Sequence, residues 1–182
     1  MRDVVLIALF AAITAGLAIF PPLVLPVVGV PVTAQSLGPM LAGGVLGARR
    51  GGLSMLLFLA LVAMGLPLLA GGRGGFGVFF GPTAGYLVGW VFVAVVIGAL
   101  VERFWDGLNT IKAMAICAVG GIGVLYAVGI PWSAVVADIP AWTALVGSLP
   151  FFVGDAIKCY IAAVVIVTVK RSYPIISGAY AA

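Results

Sequence analysis

The sequence predicts an all-α integral membrane protein of six transmembrane helices, with both termini on the cytoplasmic side. Three observations predict it. Of the 182 residues 64% are hydrophobic and only 8% charged, with a mean hydropathy of +1.33, whereas a soluble domain carries roughly 25% charged residues. The apolar residues must therefore face lipid as well as one another. Breakers divide them into runs close to the ~20 residues that cross a bilayer core. Lysine and arginine gather on alternate connections, the mark of membrane topology.

The first run, Val4–Phe20, ends at Pro21-Pro22. It follows Arg2 as a signal-peptide core would, but it is long and Pro21-Pro22 follows without a clear small-x-small cleavage site, so it is expected to stay as a span. The second run covers about 32–48 and stops at Arg49-Arg50; the third covers about 51–66 and stops at Pro67. The fourth, about 83–101, meets the polar cluster Glu102, Arg103 and Asp106. The fifth, about 111–130, closes at Pro131, and the sixth, about 144–169, at Lys170-Arg171. Unpaired backbone polar groups are not tolerated in lipid, so these runs are helices rather than open strands. The period-2 alternation of a membrane barrel is absent. Residues 1–182 leave room for a single membrane domain and no soluble one.

With the N terminus inside, the cytoplasmic segments hold Arg2, Arg49, Arg50, Arg103, Lys112, Lys170 and Arg171, which is seven of nine cations. Arg73 is the one cation in an outer loop, and Lys158 lies within the last span. The net charge of +4 thus reads as topology and not as a nucleic-acid surface, because no basic run or interleaved aromatics accompany it. Two outer loops, PPLVLPVVGVP at 21–31 and PLLAGGRGGFGVFFGP at 67–82, are apolar and rich in proline or glycine. Simple connectors are shorter and more polar, and irregular backbone at this depth is tolerated where it lines a cavity. They are expected to form a lid over an outward-facing pocket.

The sixth span carries the chemistry. Asp155 and Lys158 are three residues apart and share one helix face. Each buried charge costs about 2.5–3.5 kcal/mol at a helix centre. An intramembrane pair is therefore read as a functional site, with a mutually neutralising structural pair as the alternative. A carboxylate accepts N–H donors and an ammonium donates to a carbonyl, so the pair suits a urea or amide edge. Arg73, flanked by glycines, suits a ligand carboxylate; the alternative is an exposed charge at the headgroups. Gln35 offers two hydrogen bonds to an amide-like group. A structural role is its equal alternative, and Thr33 and Ser36, its polar neighbours, read more readily as satisfying helical carbonyls. Tyr86 offers a hydroxyl or a stacking face, unless it belongs with Trp132 and Trp142 to an interfacial belt.

Other chemistries lack their residues. There is no histidine, so Cys117 and Cys159 are expected to be buried structural thiols and no metal is expected. Gly72–Gly77 matches GxGxxG but follows no strand, and no Gly-Lys-Ser/Thr exists, which argues against a dinucleotide site and a P-loop. An enzyme acting on lipid would need a nucleophile–base pair or clustered carboxylates. In the first span Ala8/Ala12 and Ala11/Ala15 form two small-xxx-small pairs, suited to a partner protein or to another span of the same chain. Gly43/Gly47 and the row Gly81, Gly85, Gly89 are expected to pack internally.

Three segments, VGVPVTAQSLGPMLAGGVLGARRG, GLPLLAGGRGGFGVFFGPTAGYLVGW and LPFFVGDAIKCYIAA, make the chain resemble the BioY family, the biotin-specific S components of energy-coupling factor (ECF) vitamin transporters. The resemblance implies a six-helix membrane fold with a biotin pocket near its outer face and no cofactor. It implies that Asp155 and Lys158 meet the ureido ring and that the loop bearing Arg73 helps close the pocket. It implies that the alanine face of Ala8, Ala11, Ala12 and Ala15 meets a transmembrane T component, with two ATPase subunits completing an uptake complex in a prokaryotic cell membrane. Two alternatives stay open: a solitary biotin carrier without ATPase partners, and an S component for another vitamin.

Overall fold

The computed structural model describes residues 1–24 and 31–176. In them the chain forms six helices: α1 (Arg2–Gly16), α2 (Leu37–Leu46), α3 (Ala48–Ala63), α4 (Ala84–Arg103), α5 (Thr110–Val136) and α6 (Ala141–Ser172). A two-residue antiparallel ladder pairs β1 (Leu23–Val24) with β2 (Pro31–Val32). Residues 25–30, the middle of the first expected lid loop, lie outside the described residues.

Four segments are long and apolar enough to cross a bilayer alone: Arg2–Ile19, Ala84–Arg103, Thr110–Val136 and Ala141–Ser172. The second expected run is much shorter as a helix. Its first residues are extended, Ala34–Ser36 make one tight turn, and α2 has only 10 residues, about 15 Å at 1.5 Å per residue. It can be short because it sits largely inside the bundle, with only Leu37 and Leu41 partly exposed. Met40 and Ala42 are fully buried and Leu46 nearly so. Protein supplies the surroundings that lipid could not give its irregular N-terminal backbone.

The other boundaries move for local reasons. The break between α2 and α3 falls at Gly47, two residues before the arginine pair, because Gly47 takes φ +87°, a region that favours glycine. Glu102 Oε1 then accepts the Ala48 N–H at 2.9 Å, so a carboxylate sits at the positive end of α3. Arg49 and Arg50 become its first turn. At the other end of α3, Gly65 (φ +105°) closes a Schellman turn, with Leu66 N–H on Leu61 O and Gly65 N–H on Val62 O. Pro131 does not stop the fifth helix, which runs on to Val136. A proline inside a membrane helix is tolerated when neighbours take up the freed groups.

Apolar burial does not drive helices together in lipid; close packing does. A Cβ on Gly43 would come within 3.0 Å of the Ala94 Cα, and one on Gly85 within 2.8 Å of Trp132 Cγ. These glycines pack internally as expected, whereas Gly81 has no close neighbour but Val78 O at 3.8 Å. Val4, Leu56, Phe92 and Ile157 stay exposed, as residues facing acyl chains must. At the cation-rich end, Arg50 joins three elements by donating to Leu46 O (3.0 Å), Asp3 Oδ1 (3.3 Å) and Ile175 O (3.3 Å).

Candidate binding site within the helix bundle

α6 carries Pro150 inside its helix, and five residues later Asp155 turns into the bundle. Asp155 Oδ1 meets Lys158 Nζ at 2.8 Å, with the two side chains only 6% and 13% exposed. The pair is not self-contained. Tyr126 donates its hydroxyl to Asp155 Oδ2 at 2.7 Å, and Lys158 donates to Ser36 Oγ at 2.9 Å. Ser36 in turn reaches Thr33 O at 3.4 Å. The result is one polar chain across α5, α6 and the turn before α2. Each partner lowers the cost of holding charge out of water.

Tyr126 reaches Asp155 because of a local irregularity in α5. Residues Val119–Val124 form a π-turn, which inserts one residue and so rotates the C-terminal half of the helix by ~100° relative to an unbroken α-helix. Glycines make the bulge fit: a Cβ on Gly121 would crowd Met40 Sδ (3.1 Å), and one on Gly120 would crowd Ile97 Cδ1 (2.8 Å).

This polar chain forms one wall of a half-enclosed cavity. Thr33, Gln35, Arg73, Tyr86, Asp155 and Lys158, the six residues singled out from the sequence, all line it. Ser36, Leu69, Thr83, Leu87, Trp90, Leu125, Tyr126 and Phe151 complete the lining. The space open to water-sized molecules is about 70 Å³, several times the ~10–15 Å³ that one water requires. The walls are mostly apolar, with polar groups at a few points, the usual make-up of a small-molecule site.

The individual roles differ from those expected. The Gln35 amide is used by the protein itself: Nε2 donates to Thr14 O (3.0 Å) and Leu68 O (2.9 Å), and Oε1 accepts the Ala70 N–H (2.8 Å). It fastens the 67–73 loop to the bundle, with both donors taken, rather than presenting a free amide edge. Arg73 closes a turn through its backbone bridge to Leu69, and its Nε donates to Ala70 O at 3.3 Å. Tyr86 is buried, and its hydroxyl has no hydrogen-bond partner among the described residues, so it lies among the cavity walls and not in an exposed belt. Trp132 and Ser133 anchor the C-terminal end of α5 by donating to Gly81 O (3.0 Å) and Pro82 O (2.8 Å). Of the alanine face, Ala11 is buried and Ala15 partly so, while Ala8 and Ala12 are exposed.

Sequence reasoning missed Tyr126, Trp90 and Phe151. Tyr126 had a usable signal: it lies within an apolar run expected to span the membrane, where a tyrosine hydroxyl turned into the protein must find a partner. Trp90 and Phe151 gave none, because an apolar wall is indistinguishable from core.

Fold and site together define a membrane-embedded helix bundle that encloses a small-molecule cavity. The BioY family model matches residues 1–175, and the chain belongs to that family. It is similar to the biotin transporter BioY of Rhizobium etli, 51% identical over 180 residues and covering 96% of each chain. It is likewise similar to the biotin transporter BioY of Rhodobacter capsulatus, 45% identical over 182 residues and 95% of each chain. Among solved structures it matches the crystal structure of the S component for biotin from an ECF-type ABC transporter, with a TM-score of 0.91 and 31% identity, covering 96% of this chain and 93% of that one.

Proposed function

We propose that this chain is the biotin-binding S component of an ECF-type vitamin uptake system in a prokaryotic cell membrane. The observation that carries the reading is the buried Asp155–Lys158 pair on the cavity wall. A ureido ring presents N–H donors beside a carbonyl. Asp155 would accept one N–H, and Lys158, which uses two of its three donors on Asp155 and Ser36, would give the third to the carbonyl. Such charge-assisted bonds are strong where water is excluded. Leu87, Trp90 and Phe151 would pack on the apolar part of the ligand. Arg73, on the cavity lining with its Nε engaged by Ala70 O, would hold the carboxylate through its other guanidinium nitrogens.

The chain acts as a binding subunit and not an enzyme. The exposed pair Ala8 and Ala12 would admit a close-packed helix of a T component, and separate ATPase subunits would energise the complex.

Calorimetric titration of the purified chain with biotin tests the site. Asp155→Asn should weaken binding roughly 10- to 100-fold, the loss of a charge-assisted hydrogen bond, with the fold intact. Arg73→Ala should weaken binding of biotin more than that of biotin amide, which lacks the carboxylate. Undiminished affinity in Asp155→Asn would sink the assignment.

A further inference from the structure

The surface of the bundle carries a second concavity, which shares no lining residue with the cavity. It is a groove of about 490 Å³ between α3 and α4, lined by Ala48, Arg49, Gly52, Leu53, Leu56, Val91 and Val95. Its apolar walls face where the bilayer must be: Leu53, Leu56 and Val95 are among the exposed large hydrophobic residues. Gly52 keeps the floor open, since a Cβ there would come within 2.7 Å of Val95 Cγ2. One end is marked by Arg49, in the first turn of α3.

We propose that this groove holds one anionic phospholipid of the leaflet at the cation-rich end of the bundle, with its phosphate on Arg49 and an acyl chain along Gly52, Leu56 and Val95. Charge complementarity carries the choice of occupant. Arg50 is committed to Leu46, Asp3 and Ile175, whereas Arg49 makes no hydrogen bond or ion pair among the described residues. Arg103 is exposed and, at i+4 spacing from Val91, Val95 and Ala99, shares their face of α4 beyond the groove lining, so it is the second cation to test. No carboxylate lines the groove; Glu102 is turned to the Ala48 N–H and Asp3 to Arg50, while Asp106 is exposed in the turn after α4. An arginine with no partner among the described residues, in a lining that holds no carboxylate, beside the N-terminal end of a helix and above an apolar trough, suits a phosphate with a chain attached. That setting fits poorly to a zwitterionic headgroup or to an uncharged helix of a partner.

Native mass spectrometry of the purified chain, titrated with phosphatidylglycerol or phosphatidylcholine of the same acyl chains, tests this. One phosphatidylglycerol should be retained per chain in preference to phosphatidylcholine. Arg49→Gln and Arg103→Gln should each reduce that preference about 5-fold, the effect of one cation at an anionic headgroup. Glycerol phosphate, which has no chain, should not compete. Gly52→Ala should lower retention of both lipids by filling the floor; if that variant loses a monodisperse elution, Arg49→Gln alone decides. Equal retention of the two lipids, an unchanged preference in Arg49→Gln, or full competition by glycerol phosphate would overturn the site.

Discussion

Tyr126 decides how the buried carboxylate is aimed. With its hydroxyl 2.7 Å from Oδ2 and Lys158 on Oδ1, Asp155 has both oxygens held and little rotational freedom left. A ligand then meets a carboxylate already oriented, which cuts the ordering cost of binding. Tyr126→Phe keeps the ring and its packing but frees Oδ2. Because a hydrogen bond to a buried charged group contributes ~1.5–3 kcal/mol to stability, the melting temperature should fall, and biotin affinity should fall as well because the carboxylate is no longer held in its binding orientation. Isothermal titration and a thermal melt on the same preparation check both halves. A lowered melting temperature with unchanged affinity would mean that the tyrosine is structural only. Residues also mark the limit of what sequence could say. Asp155 and Lys158 were legible because charge inside a membrane run is costly and therefore conspicuous. Gln35 was legible as a polar group able to exchange two hydrogen bonds, but not its use, since the atoms it bonds, Thr14 O, Leu68 O and Ala70 N, lie on separate segments that only the fold brings together.

At the scale of elements, the 67–73 loop depends on one side chain from the turn before α2. Leu69 and Ala70 are almost fully buried, and Gln35 bonds the backbone on both sides of Leu69. Removing the amide leaves a buried N–H and buried carbonyls without partners, at about 1–3 kcal/mol each. The loop should open locally, since segments with few contacts open at lower cost than the core. Gln35→Ala should therefore raise hydrogen–deuterium exchange across residues 67–73 and leave α4 protected; unchanged protection of the loop would refute the latch. The same scale explains why helix positions were readable and their ends were not. Apolar runs mark where lipid or core will be, and each of the six helices falls largely on one of them. The ends are set by events that hydropathy does not encode: the left-handed backbone at Gly47, the carboxylate of Glu102 on Ala48, and the π-turn in α5 with proline beyond it. The brevity of α2 follows from the burial of most of its surface, which a single hydropathy profile reads as one more span.

For the whole molecule, charge at one end and the cavity-lining loops at the other make a strong prediction of orientation. Arg2, Arg49, Arg50, Arg103, Lys112, Lys170 and Arg171 belong to the termini and to the connections on the side away from Arg73 and the Phe76–Phe80 turn. Cations resist translocation, so the end that carries them stays in the cytoplasm, and the cavity mouth beneath the Arg73 loop faces outward. Single cysteines can read this, because the native Cys117 and Cys159 are both buried and free and should react slowly. Gly77 is exposed, and a side chain there meets nothing within 4 Å; Asp106 is exposed in the turn after α4. Gly77→Cys should be labelled by a membrane-impermeant maleimide on intact cells, and Asp106→Cys only after the cells are permeabilised. The reverse pattern would invert the molecule and place the ligand entrance on the cytoplasmic side, where a protein that gathers biotin from outside could not use it.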